Sequence, residues 1–480
     1  MTGAPALRIG GREVEPHGSL TVLDPSTGRE LAVVPEAGPA EVDLAVEAAR
    51  EALGGAWGQM APDRRSRILW RISELIEDHA AELAALESSD TGKPISAAGA
   101  IDVPQTAAQF RYHAGWPTKL HGDVIPSSFP GHLSFTTRIP MGVVAQIVPW
   151  NFPIIMVGRK AAPALACGNA VILKPSEETP MTALRVQELA AEAGLPPGVL
   201  TVLPGRGEVT GALLAAHPGI DMVAFTGGWD AASEVVRASA SNFKRLHLEL
   251  GGKSPNIVFD DADLTRAVPG ALRAAFGNMG ENCAAGSRLF IQEGIHDEFV
   301  EAFAEGARAM RVGPASDPST VIGPLISRSH RERVIGYVET GVREGAVLFS
   351  GGAALDGPGF FMEPAVFAGV GDGMAIAGEE IFGPVVSVLR FAGEDEVIRR
   401  ANATRYGLAA AVWTENGARA HRVADRLAAG TVWINCYSRF DVAVPFGGVK
   451  SSGHSRDHGE EGVLEYTTVK TVWVDHADVS

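Results

Sequence analysis

Five short apolar runs follow one another between residues 142 and 252: "GVVAQIVP", "NAVILKP", "GVLTVLPG", "DMVAFTGG" and "KRLHLELGG". Each stops at Gly or Pro. The segments between them, such as "MTALRVQELAAEAG", carry the helical period and stop at Gly. Near-continuous Val/Ile/Leu runs alternating with helices define an α/β fold, a parallel sheet covered on both faces. In such sheets ligands sit beyond the carboxyl ends of the strands. The residues that close each run are therefore the ones to read for chemistry: Pro149-Trp150-Asn151, Lys174 to Glu177, Gly205, Thr226-Gly227-Gly228 and Glu249.

A chain of 480 residues exceeds one compact core, so two or three domains are expected. Ahead of the sheet, "PAEVDLAVEAAREAL" and "DRRSRILWRISELIEDHAAELAALESS" read as helices, the second capped by Asp63. After residue 252 a second α/β pattern begins, with "SPNIVFD" and "SRLFIQ" as strands and "HDEFVEAFAEGARAM" as a helix. "LSFTTRIP" and the C-terminal "LEYTTVKTVWVD" alternate as strands that can pair with each other.

The formal net charge of −16 argues against a nucleic-acid partner, which needs a basic surface. No basic stretch leads into an apolar run at the N-terminus, and no apolar segment is long enough to span a membrane. Three widely separated cysteines, Cys167, Cys283 and Cys436, suit a reducing, cytoplasmic setting better than disulfides or zinc. Cys283 stands apart. In "GENCAAGSR" it lies among Asn282, Ala284, Gly280 and Gly286, which leave a thiol open to approach.

Together these pieces resemble the aldehyde dehydrogenase superfamily over about residues 20 to 475. "PWNFP", "KPSE", "FTGG", "LELGGKSP", "GENCAAGSR", "EEIFGPV" and "PFGGVKSSG" appear in the family's order. The resemblance implies a variant Rossmann cofactor domain (1–120 and 141–251), an α/β catalytic domain (252–450) and a small β oligomerisation hairpin (121–140 and 463–480). It implies Cys283 as the nucleophile that attacks the aldehyde carbon. Asn151, with the Cys283 N–H, becomes the donor to the developing alkoxide. Glu249 becomes the base that activates water against the thioester, its acidity weakened by burial. Lys160 and Glu460 match positions that relay protons. Two alternatives remain: an enzyme that passes the acyl group to coenzyme A, whose branches commonly lack Glu249, and a catalytically silent ligand-binding or structural relative.

For the cofactor, the resemblance implies NAD, with NADP a weaker alternative because a 2′-phosphate would face Glu177. Lys174 and Glu177 match the adenosine-ribose contacts, and Glu380 and Phe382 those of the nicotinamide side. Ile147, Val148, Pro149, Trp150, Gly207, Gly211, Phe225, Thr226, Gly227, Gly228 and Leu250 complete the expected groove. In "FTGGWDAA" the chain departs from most relatives, with Gly228 in place of a serine and Ala232 in place of a glycine.

Phe152, Arg159, Gly277 and Phe446 match the family's substrate tunnel. Arg159 stands where many relatives carry Trp, and Gly277 lacks the usual bulk, so a roomy tunnel with one polar anchor is expected. "GHSRDHGEE" replaces the G-x-G-R-E of many relatives; its two histidines, His454 and His458, are not expected to bind metal. A homodimer or homotetramer acting on a small-molecule aldehyde is the implied assembly.

Overall fold

The structure is a computed structural model that describes residues 6–476; the ends of the expected segments, 1–5 and 477–480, lie outside the described residues. The five apolar runs form one all-parallel sheet, in the order Arg245–Leu250, Met222–Gly227, Val143–Ile147, Ala170–Lys174, Leu200–Val202. From Val143–Ile147 the chain first builds outward on one side, then returns to build on the other. The strand order therefore reverses between Val143–Ile147 and Met222–Gly227. That reversal opens a crevice at the strands' carboxyl ends, between Trp150 and Gly228.

A second, seven-stranded sheet follows, with Pro255–Val258 and Arg288–Gln292 at its centre and Ala409–Trp413 beside them. It is parallel except for its edge pair, Val347–Ser350 with Ala365–Ala368. The third sheet joins the antiparallel strands His132–Pro140 and Thr467–Asp475 in register from Thr467↔Pro140 to Asp475↔His132. In His132–Pro140 alternation puts Leu133, Phe135 and Ile139 on one face, whereas Thr467–Asp475 breaks the pattern with three consecutive apolar residues, Val472 to Val474.

Two details of the helical reading change. The long segment after residue 61 is two helices, Pro62–Asp78 and Ala80–Thr91, separated at His79. Asp63 is not a cap: Ala61 holds that place, Pro62 starts the helix, and Asp63 lies inside the first turn. A proline fits the first helical position because its missing N–H would have no partner there.

Helix Pro153–Ala166 is buried along its whole length. It packs against helix Val103–Ala114 and begins two residues after Asn151, so it carries Arg159 and Lys160 from the crevice into the interior. Buried charge on such a helix needs partners. They decide the site.

Candidate active site

Cys283 follows a strained approach. Asn278, Met279 and Gly280 are consecutive left-handed residues, with φ of 54°, 56° and 72°. For a non-glycine residue such a conformation costs on the order of 1–3 kcal/mol, so the surroundings must enforce it. Gly280 is required, since a Cβ there would sit 2.2 Å from the Gly383 carbonyl oxygen. The loop is pinned to the Asn151 turn. Asn151 Nδ2 donates to Glu281 O at 2.9 Å, while Asn278 Nδ2 donates to both Asn151 O and Glu281 O at 3.0 Å. Two hydrogen bonds thus hold Asn151 against the cysteine loop, and the third braces the loop itself. Cys283 itself is half-buried, and its Sγ lies 3.9 Å from Asn282 Oδ1. Burial pushes the thiol up to about 12; the Arg159 charge works against this rise, and the Glu380 and Glu249 carboxylates add to it.

Glu249 occupies strand Arg245–Leu250 and is 4% exposed. Its Oε1 is buried without a hydrogen-bond partner. Burial, then the nearby Asp457 charge, holds its carboxyl well above the ordinary 4.5, with Lys160 and Arg159 pulling the other way. Behind it lies an ion cluster: Lys160 Nζ is 2.8 Å and His247 Nε2 3.1 Å from Asp457 Oδ1. Burial alone would raise Asp457, but Lys160 and His247 hold it far below the usual carboxylate range.

This corrects one expectation. Glu460 is exposed, on the first turn of helix Gly459–Leu464, and takes no part in the buried cluster. The carboxylate that meets Lys160 is Asp457, because a buried ammonium needs a desolvated partner and an exposed glutamate cannot supply one. The signal was present in "SRD", which stands where relatives read G-R-E. His458, also in that stretch, is buried and its Nε2 accepts from Gln109 Nε2 at 2.8 Å, while His454 is exposed. Among the described residues no group of His, Cys, Asp and Glu is arranged to hold a metal.

The residues expected to hold the cofactor lie about the crevice. Ile147, Val148, Phe225 and Leu250 are buried in its floor. Pro149 and Trp150 are half-exposed beside it, and the Trp150 ring meets Phe382 edge-on at 5.3 Å and His330 at 5.2 Å. His330, which no motif singled out, fixes Phe382 by contacting its carbonyl oxygen at 2.7 Å. Lys174 Nζ lies 3.0 Å from Glu177 Oε2, and the Gly207 N–H donates to Glu177 Oε1 at 3.4 Å. Gly211 closes the turn that starts at Gly207. Glu380 Oε1 accepts from the Gly252 N–H at 3.0 Å. A dinucleotide fits here: a Cβ at Gly207 or Gly228 would meet nothing within 4 Å, and Thr226 Oγ1 is buried without a partner. Gly227, by contrast, has no room, as its Cβ would sit 2.6 Å from the Phe225 ring.

On the other side of Cys283, Arg159 lies with its guanidinium 5.7 Å from the Phe446 ring centroid. It is 9% exposed, its Nε has no partner, and among the described residues no carboxylate lies within ion-pair distance. It does not turn away to a structural acid. Phe152 is half-buried with Lys93 Nζ 4.3 Å over its ring, and the space beside Gly277 is open.

Comparison with known proteins agrees with this geometry. The sequence model described as "Aldehyde dehydrogenase family" matches residues 13–472. Human retinal dehydrogenase 2 is 48% identical, over 94% of this chain and 88% of its own. The NAD+ complex of an aldehyde dehydrogenase from Bacillus cereus superposes with a TM-score of 0.97 at 44% identity, covering 98% of this chain and 96% of that one. Betaine aldehyde dehydrogenase from Staphylococcus aureus, also in complex with NAD+, gives a TM-score of 0.97 at 37% identity, over 99% and 96%. The chain belongs to the aldehyde dehydrogenase family. It is an NAD-dependent enzyme that oxidises an aldehyde to the carboxylic acid.

Proposed function

We propose that the reaction runs through a thioester on Cys283, hydrolysed with Glu249 as base. What carries this reading is the set of hydrogen bonds from Asn151 and Asn278 that joins the "PWN" turn to the cysteine loop. It puts an amide donor beside a thiol, with an unpartnered buried carboxylate close by. The thiol adds across the carbonyl, and Asn151 Nδ2 with the Cys283 N–H receives the resulting oxygen. NAD, when bound, supplies the hydride acceptor. Loss of hydride and of the oxygen's proton leaves the acyl group on Cys283. Glu249 then takes a proton from the water that cleaves it, restoring the thiol and releasing the acid. Behind Glu249, Lys160 and His247 gather on Asp457, and that cluster offers the proton from Glu249 an onward path.

The sheet of residues 143–250 holds NAD through Lys174, Glu177, Glu380 and Phe382, with the catalytic unit beginning near residue 252. NAD is preferred over NADP because the carboxylate of Glu177 repels a ribose phosphate. Arg159, buried and unpaired, anchors a polar group of the aldehyde, while the space at Gly277 admits a wide one. Polar and aromatic aldehydes are therefore preferred over long alkyl ones. The enzyme works as a cytoplasmic homodimer or homotetramer. No helix among the described residues is long and apolar enough to cross a membrane. Leu133 and Ile139 of strand His132–Pro140 and Val474 of its partner strand stand exposed on one face, an apolar surface suited to another copy.

The test is NADH formation with a panel of aldehydes, with and without coenzyme A, in wild type and Arg159→Leu. Free acid formed without coenzyme A, and a loss in the variant confined to aldehydes bearing a carboxylate or hydroxyl, is the expected result. An obligatory need for coenzyme A would overturn the hydrolytic reading; an equal loss across matched aldehydes would remove Arg159 from substrate selection.

A further inference from the structure

The stretch "FTGGWDAA" closes strand Met222–Gly227, and Gly228 at its end brings no side chain to the crevice. The structure shows what stands there instead. Trp229 is the first residue of helix Trp229–Ser239 and is 43% exposed. Arg405, from the loop ahead of strand Ala409–Trp413 in the other sheet, places its guanidinium 4.9 Å from the Trp229 ring centroid. The same guanidinium lies 5.0 Å from the Tyr406 ring, and its Nη2 donates to the Tyr406 hydroxyl at 3.1 Å. An exposed arginine would ordinarily sample many rotamers. Two rings and one hydrogen bond hold this one in place.

Its position spans the crevice. Trp229 belongs to the cofactor sheet's side, Arg405 to the catalytic side, and the charge of Arg405 is felt by both Asp230 and Glu380. Glu380 anchors the crevice at Gly252, and Asp230 follows Trp229. Among the described residues the Arg405 side chain forms one hydrogen bond, so most of a guanidinium's five N–H donors are unspent. It faces the start of a helix of eleven residues that no side chain caps. Thr226 Oγ1, two residues before Gly228, is buried and unpartnered. A fixed cation, free amide N–H groups and an unused hydroxyl gathered at one end of a strand are donors awaiting an anion.

We infer that Arg405, stacked on Trp229, is a binding residue for the pyrophosphate of the dinucleotide. It clasps the cofactor across the crevice and supplies charge where Gly228 brings no side chain. The inference rests on the use of NAD and not on the roles of Cys283 or Glu249.

Isothermal titration of the full-length apoenzyme, without aldehyde, separates the two. NAD, ADP-ribose and adenosine are titrated into wild type, Arg405→Gln, Arg405→Lys and Trp229→Ala. The clasp requires Arg405→Gln to weaken NAD and ADP-ribose alike, by about tenfold or more, with adenosine unchanged. Trp229→Ala loses a smaller factor, about two- to fivefold, by freeing the guanidinium. Arg405→Lys recovers part of the loss, and the salt dependence of NAD binding flattens in Arg405→Gln. Wild-type NAD affinity in Arg405→Gln would overturn the proposal. So would a loss that extends equally to adenosine, which would make Arg405 a tie between the two sheets and nothing more. Because no aldehyde is present, either result leaves the thioester reading where it stood.

Discussion

Cys167 and Cys283 are both pushed up to about 12 by burial, yet their surroundings have little in common. Cys167 caps the end of helix Pro153–Ala166, and its thiol donates to the Val463 carbonyl at 3.4 Å. Helix and C-terminal segment pack around it, with the charges of Arg65 and Arg138 in reach but no carboxylate acting on it. Cys283 is half-buried at the end of a left-handed turn, tied by hydrogen bonds to Asn151 and within reach of the charges of Arg159 and Glu249. Acidity does not distinguish the two thiols. What surrounds Cys283 does: a donor for an oxygen, a base for water, and open space at Gly277 for the substrate.

If that contrast is right, Cys283→Ala lowers aldehyde oxidation by about 10⁴-fold or more, while NAD binding by titration stays within about twofold of wild type. Retained turnover would mean the contrast between the two sites is not a catalytic one. Asn151→Ala comes next. Losing one donor to the oxygen costs about 10²- to 10³-fold in kcat, read with saturating aldehyde. A loss expressed only in KM would make Asn151 a binding group.

The pH profile is a gentler probe. Glu249 acts as a base when ionised, and burial with Asp457 nearby raises its pKa, so the hydrolytic step slows as pH falls through that raised value. Pre-steady-state traces should therefore show an acid limb on the slow phase well above pH 4.5. A rate flat down to that pH would show that Glu249 is not so raised. Cys167→Ala is the smallest change, with activity within about twofold of wild type and a cost of roughly 1 kcal/mol in unfolding.

The sequence carried the parallel sheet because fully buried strands leave a simple trace, apolar runs ended by Gly or Pro, and the structure places all five as one sheet. Asn151 and Glu249 were legible as residues at strand ends, whereas Cys283, which lies ahead of strand Arg288–Gln292, was joined to them only by the resemblance to aldehyde dehydrogenases. Long-range pairing was less visible. Asp457 reaches Lys160 across 297 residues, and a run of charged residues at 457–461 offers several carboxylates to choose from. Only burial picks the right one. His330 and Asn278 act through backbone carbonyls, at Phe382 and at Asn151 and Glu281, and such contacts leave no residue pattern to read. The break at His79 escaped because both helices share an apolar period, and the interruption is one backbone turn.

Peptide mass after a single burst tests the thioester most directly. Glu249→Gln is mixed with NAD and aldehyde, quenched in acid and digested. The mechanism predicts one equivalent of NADH, then a stall, with the acyl mass on the peptide carrying Cys283 and none on that carrying Cys167. A burst with no adduct, or an adduct on Cys167, would contradict it.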